Sequence, residues 1–206
     1  MLQEIISAKT TDDLEILKKA GILKGFYLAG GTGLTFQLEH RLSIDLDFFT
    51  GKDIDTKILI QNLKDLGKLS VEKEAQDSLT GNFNTTLISF LKYDYPCLFA
   101  FKEIYGIKVA DARDIGCMKI DAISSRGTKR DFIDLFFICK SVLPLARLLN
   151  LFKKKYSSVN FNMVHILKSL IYFDDAEKDP LPRMIKPISW DEVKGFFVKE
   201  VRDIEI

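Results

Sequence analysis

Residues 26–49, FYLAGGTGLTFQLEHRLSIDLDFF, restrict the possible folds more than any other part of the chain. A short apolar strand, Phe26 to Ala29, runs into Gly30-Gly31-Thr32. A helix-compatible segment, Thr32 to Glu39, follows, and a second apolar strand, Ile44 to Thr50, carries Asp45 and Asp47. A glycine pair lets the backbone approach a ligand closely, and N–H groups at a turn into a helix can hold phosphate. Two aspartates two apart on a strand emerge from one face, about 6–7 Å apart at Cα. Such carboxylates repel unless a cation lies between them, and a hard divalent ion such as Mg²⁺ suits oxygen ligands beside a phosphate. Each half also has an ordinary reading, a tight turn or a pair of capping aspartates. The apolar residues around them (Ile44, Leu46, Phe48, Phe49) favour metal binding, because ionised carboxylates beside a core are costly unless paired.

The length of 206 residues allows one large domain or two small ones with ample core. A net charge of +1 excludes strong global steering toward nucleic acid but permits a local basic patch. Cys97, Cys117 and Cys139 are odd in number and form no CxxC pattern, so they read as small buried hydrophobes in a reducing compartment. With only His40 and His165, no zinc constellation is expected. The N-terminal MLQEIISAKT lacks a signal-peptide pattern, and no apolar run reaches membrane-span length, so a cytoplasmic protein is expected.

Up to about residue 110 the chain alternates between helices and strands. A short helix is expected over residues 2–8. Thr11-Asp12-Asp13 caps a second helix ending at Gly21, and Asp53 or Asp55 begins another ending at Gly67. Strands Leu69–Gln76 and Thr85–Tyr93 are expected to form an antiparallel hairpin around a Thr80-Gly81-Asn82 turn, with Lys108–Ala110 as a short final strand. From Asp111 onward the pattern is helical throughout, ending in a helix with capping-box spacing at Ser189 and Glu192. The expectation is an α+β fold: residues 1–110 form a mixed sheet flanked by helices, and residues 111–206 form a helical bundle.

The helical half holds a second group of charges. Lys119 and Arg126 are seven apart on one helix face, and Asp131 and Asp134 are three apart on the next helix. An ordinary surface pair between Arg130 and Asp134 at i,i+4 spacing would also account for these residues.

Both halves together resemble the AbiEii/AbiGii toxin family of polymerase-β-like nucleotidyltransferases. The resemblance rests on GGTGLTFQLEHRLSIDLDFF, on Met118-Lys119-Ile120-Asp121, on Arg126-Gly127 and on Lys129-Arg130-Asp131-Phe132-Ile133-Asp134-Leu135, roughly residues 26 to 140. It implies the polymerase-β-like fold. It implies that Gly30, Gly31 and Thr32, with Lys119 and Arg126, bind the nucleotide triphosphate. It further implies that Asp45 and Asp47 ligate Mg²⁺ (or Mn²⁺), and that Asp131 or Asp134 contributes to catalysis. One departure stands out: such enzymes often carry a third carboxylate on a later strand, where this chain has Ser89 in TTLISFLKYDYP.

The resemblance implies transfer of an NMP from NTP to an acceptor hydroxyl, with tRNA or another RNA as a candidate acceptor and an antitoxin protein as a candidate partner. Arg113, Lys119, Arg126, Lys129, Arg130 and Lys153 to Lys155 could line an RNA path, although the lysine run also reads as a solvated helix end. The alternative is an inactive nucleotide-binding or protein-interaction module, supported by Ser89. A Mn²⁺-dependent glycosyltransferase ranks last, because it leaves the Gly-Gly-Thr turn and Lys119 unexplained. A nucleotide site is expected in a cleft between the halves, with carboxylates from the first and cations from the second.

Overall fold

The computed structural model describes residues 6–204. Its chain divides into two compact units. The first takes the described residues up to Phe36 together with Leu42–Pro96 and Ala100–Ala110; the second takes Gln37–Arg41, Cys97–Phe99 and the chain from Asp111.

The first unit is built on a seven-stranded mixed sheet of order β3-β4-β5-β2-β1-β7-β6. The strands are β1 (Tyr27–Leu28), β2 (Leu46–Thr50), β3 (Leu69–Ala75), β4 (Ser78–Phe83), β5 (Thr86–Lys92), β6 (Lys102–Ile104) and β7 (Ile107–Val109). β1 runs antiparallel to β2 and parallel to β7, and β2 runs parallel to β5. Alternation along β2 sends Leu46 and Phe48 to one face and Asp47 and Phe49 to the other. The Phe48 face is the core face. Leu28, Ile88 and Phe90 join Phe48 there, under Leu14 and Leu17 of α1 (Ala8–Lys19) and Leu59 and Leu63 of α3 (Thr56–Leu66). Ser7 caps α1 and Asp55 caps α3, each side chain accepting a backbone N–H of the first turn.

Several local expectations change. The helix expected over residues 2–8 lies largely outside the described residues, and α1 starts at Ala8, earlier than the Thr11-Asp12-Asp13 cap implied. Thr80-Gly81-Asn82 is not a turn but the middle of β4, so three antiparallel strands stand where two were expected. The reversals fall instead at Asp77 (φ +56°) and Asn84 (φ +51°), since Asp and Asn tolerate left-handed backbone. Gly81 is in the strand because a Cβ there would collide with the Ser70 carbonyl on β3. The short β6 had no periodic signal at all.

The second unit is helical: α4 (Ala112–Ser125), α5 (Lys129–Ser141), α6 (Leu145–Lys155), α7 (Met163–Ser169), the single-turn α8 (Asp174–Glu177) and α9 (Trp190–Arg202). Asp111, Thr128 and Ser189 cap α4, α5 and α9. α5 is its centre, buried through Phe132, Leu135 and Ile138, with Phe132 packed against Phe173, Trp190 and Phe197. Among the described residues, no helix is long and apolar enough to cross a membrane.

Candidate active site

The turn after β1 and the start of β2 form one structure. The Ala29 N–H donates to the Asp47 carbonyl at 3.0 Å, and α2 (Gly30–Leu38) begins at the next residue. Gly30 has φ +60°, and a Cβ there would collide with an Asp47 carboxylate oxygen, so the position admits only glycine without displacing Asp47. Thr32 is buried; its hydroxyl bonds the Ser43 hydroxyl at 2.9 Å and the Asp45 carbonyl. That hydroxyl thus pins the Asp45 backbone to the start of the helix.

Asp47 lies in β2 and Asp45 just precedes it; both are half-buried. Asp47 pairs in register with Ser89 of β5, which pairs with Thr80 of β4. Paired residues share a sheet face, so Asp47, Ser89 and Thr80 form a row of oxygen-bearing side chains, with Ser89 and Thr80 hydroxyls 3.5 Å apart. Phe49, stacked on Tyr27 with ring centroids 5.9 Å apart, continues this face. The apolar setting is narrower than the sequence implied. Leu46 and Phe48 point to the core face, and Ile44 is 58% exposed, leaving Phe49 as the apolar strand neighbour on Asp47's own side. Among the described residues no cluster of three or more His, Cys, Asp or Glu side chains is arranged for a metal. The donor set is two carboxylates with neighbouring hydroxyls, all oxygen, which fits a hard divalent cation completed by substrate and water oxygens rather than zinc or another soft metal.

The second unit carries a buried charge network centred on Asp134, which is fully buried. His40 Nε2 lies 2.7 Å from Oδ1, Arg41 Nε donates to Oδ1 at 2.6 Å, and Arg41 Nη2 donates to Oδ2 at 2.8 Å. Lys119, only 7% exposed, bridges Oδ2 of Asp134 at 2.7 Å and Oδ1 of Asp131 at 2.8 Å. Asp131 also accepts from the Thr128 hydroxyl at 2.7 Å and from Arg126 Nε at 3.1 Å. α4 and α5 bring these groups together because Lys119 lies two turns before the end of α4 while Asp131 and Asp134 face back from the first turns of α5. Burial pushes the Asp134 carboxyl up, but Lys119, Arg41 and the hydrogen bonds from His40 and Arg41 outweigh it and hold the group well below its usual range. Asp131 is lowered for the same reason, through Lys119 and Arg126. Lys119 is raised: the two carboxylates overcome the cost of burial. Burial lowers His40, and the Asp134 hydrogen bond only partly offsets it. His40 Nδ1 is buried without a hydrogen-bond partner, which marks the ring as neutral with its proton on Nε2 facing Asp134.

The structure therefore brings Lys119, Arg126, Asp131 and Asp134 into one cluster. Asp134 engages buried cations and not Arg130, so the surface pair does not form. Arg126, its side chain 65% exposed, is the cluster's outward cation. Arg41, Lys119 and Arg126 face the two carboxylates Asp131 and Asp134. His40 and Arg41 were not picked out from the sequence as site residues; their one signal was a polar run, Glu39-His40-Arg41, set between Leu38 and Leu42 just before Asp45. The other basic residues divide. Lys155 is fully buried and donates to Asp114 at 2.9 Å, Arg113 pairs with Asp111 and lies over the Phe99 ring, and Lys129 donates to the Asp179 carbonyl. Arg130, Lys153 and Lys154 are exposed.

Comparison with known proteins identifies the family and the fold. The family profile described as "Nucleotidyl transferase AbiEii toxin, Type IV TA system" matches residues 13–86 and 82–204. An uncharacterized protein of Aquifex aeolicus, aq_aa25, is 38% identical over 195 residues, 92% of this chain and 93% of that protein. Among solved structures, the nucleotidyltransferase toxin MenT4 of Mycobacterium tuberculosis is similar at a TM-score of 0.56 and 14% identity, covering 93% of this chain and 84% of that one. JHP933 from Helicobacter pylori is similar at a TM-score of 0.54 and 18% identity, covering 96% and 92%. The fold is thus the α+β, polymerase-β-like nucleotidyltransferase fold.

Proposed function

The chain belongs to the AbiEii family of nucleotidyltransferase toxins, and from that premise we propose that it moves an NMP from NTP to an acceptor hydroxyl of RNA, with tRNA as the first candidate. The acceptor oxygen attacks the α-phosphorus, the bond from that phosphorus to the pyrophosphate oxygen breaks, and the hydroxyl proton leaves to solvent. Asp45 and Asp47 would hold Mg²⁺, or Mn²⁺, which when bound neutralises phosphate charge. Gly30 and Gly31 offer backbone N–H groups at the start of α2 to the triphosphate, and Thr32 keeps Asp45 in register with them. Lys119 is held charged by Asp131 and Asp134, and with Arg126 supplies the fixed positive charge that polyphosphate needs. Asp131 and Asp134 act by orienting these cations. An antitoxin protein is the corresponding candidate partner.

The observation that carries this reading is the contact between Gly30 and Asp47, which joins the phosphate-binding turn to the carboxylate pair. Incubation with each labelled NTP, Mg²⁺ and bulk tRNA tests it, with labelled RNA as the expected product. A second reading, a nucleotide-binding module without turnover, is favoured by Ser89 standing beside Asp47 where an acid could stand. NTP binding with no labelled RNA on any acceptor would support it.

A further inference from the structure

The face of the first unit's sheet that carries Asp47 also carries a row of aromatic rings. Phe49 follows Asp47 by two residues on β2, so its side chain leaves on the same side, about 6–7 Å further along the strand. Tyr27, its register partner on β1, stacks against it. From this pair the row extends both ways. Tyr27 meets Phe101, just before β6, with ring centroids 4.8 Å apart. Phe49 meets Tyr93, just past β5, at 5.7 Å, and Tyr93 meets Tyr95 at 5.2 Å. Five rings thus touch in turn, and all belong to the first unit.

Tyr27 is nearly buried and forms the floor of the row; Phe49, Tyr93 and Tyr95 are half-buried, and Phe101 is 40% exposed. The core of this unit gathers on the opposite face, around Leu28 and Phe48. A single exposed aromatic is ordinary on a protein surface, whereas a contiguous row marks a place for a ligand. Lys108 alternates with core-facing Ile107 and Val109, so it stands on the aromatic side, opposite its register partner Glu103. Charge there is balanced. The row offers planar ring surface more than a grip on phosphate.

We propose that this row stacks the unpaired bases of the RNA acceptor and so presents its hydroxyl to Asp45 and Asp47. The inference rests on the nucleotidyl-transfer reading and adds the part of the site that holds the acceptor. Two features select this occupant. A nucleoside triphosphate has a single base, too small to use a row of five rings, whereas a strand of several nucleotides spans it. Phe49, at the middle of the row, also stands beside Asp47, so a strand lying on the rings passes the carboxylates. Stacking accepts every base, so the row admits an unpaired strand without reading its sequence. A duplex, whose bases cover one another, is disfavoured.

The test is fluorescence anisotropy of labelled hexaadenylate with the whole chain, in chelator and without NTP. A dissociation constant on the order of 100 μM is expected. An abasic hexamer with the same ribose-phosphate chain, a blunt RNA hairpin, and AMP as competitor should each bind at least about tenfold more weakly. Tyr93→Leu with Phe101→Leu should lower hexaadenylate affinity about tenfold or more, while Tyr93→Phe with Phe101→Tyr retains it. Calorimetry should find Mg²⁺-dependent NTP affinity unchanged in both double variants. Equal binding of the abasic hexamer, indifference to the leucine pair, or a leucine pair that weakens NTP in place of RNA would each overturn the proposal. The comparison of hexaadenylate with the abasic hexamer decides the matter even if the leucine variant fails to fold. Ring-dependent hexaadenylate binding with no RNA ever labelled would uphold the row and sink the transfer reading. Labelled tRNA with ring-independent binding would do the reverse.

Discussion

Asp47 and Ser89 are register partners on the adjacent parallel strands β2 and β5, with their side chains on the same sheet face. The pair gives the carboxylate site its sharpest test. Ser89→Asp would set a second carboxylate directly beside Asp47 at a buried position. Without divalent metal, desolvation and like-charge repulsion should lower the melting temperature by roughly 5 °C. Mg²⁺ should restore most of it. Calorimetric scans with Mg²⁺ and with chelator check this; a loss indifferent to Mg²⁺ would count against a metal at Asp47.

Replacing Asp45 and Asp47 by Asn together should abolish Mg²⁺-dependent NTP binding and leave the fold intact, since Asn keeps the shape and removes the charge. Isothermal titration with NTP and Mg²⁺ reads the first effect and circular dichroism the second. Unchanged NTP affinity would show that the pair does not ligate metal.

Lys119→Met removes the cation shared by Asp131 and Asp134, stranding two carboxylates in a buried setting. A loss of about 3–5 kcal/mol in unfolding free energy is expected, the scale for breaking a buried ion pair from one side. Lys119→Met combined with Asp131→Asn should lose less than Lys119→Met alone. Urea denaturation of the two variants makes the comparison, and simple additivity would argue against a coupled network.

Acid should destabilise the protein in two stages. The folded His40 lies below its ordinary 6.5, so as pH falls past that value the unfolded chain takes up a proton the folded state resists, and stability drops. Asp131 and Asp134 lie below their ordinary 3.8, so their contribution is complete above about pH 4 and disappears as pH falls toward their folded values. Urea midpoints from about pH 8 to about pH 3 should therefore fall gently from about 6.5 and steeply below about 4. His40→Gln should remove the gentle stage.

Much of this architecture is legible in the sequence where a local rule has no competitor. Asp55, Asp111 and Ser189 each stand before an apolar-periodic run, and each caps the helix expected there. Gly30-Gly31-Thr32 and Asp45/Asp47 belong to one short stretch, and the antiparallel pairing of its two strands brings them near each other. Thr80-Gly81-Asn82 misled because turn-forming composition yielded to pairing on both sides by β3 and β5. The Asp134 network was half legible: helical spacing set Asp131 and Asp134 on one face, but it could not reach 93 residues back to Arg41. Lys155 was unreadable for the same reason. Nothing near it in sequence announces that Asp114 awaits it in the interior.

The residues from Gln37 to Arg41 are grouped with the helical unit although both flanking segments belong to the sheet unit. A gene fragment starting at residue 111 would consequently encode the helices without the His40 and Arg41 that hydrogen-bond Asp134. Such a fragment should be poorly soluble on its own. Adding a synthetic peptide spanning Gln37–Arg41 offers a complementation assay, in which recovery of a cooperative melt measures how far that short segment can be supplied in trans. Separate expression of the two units therefore cannot rely on a single cut in the chain.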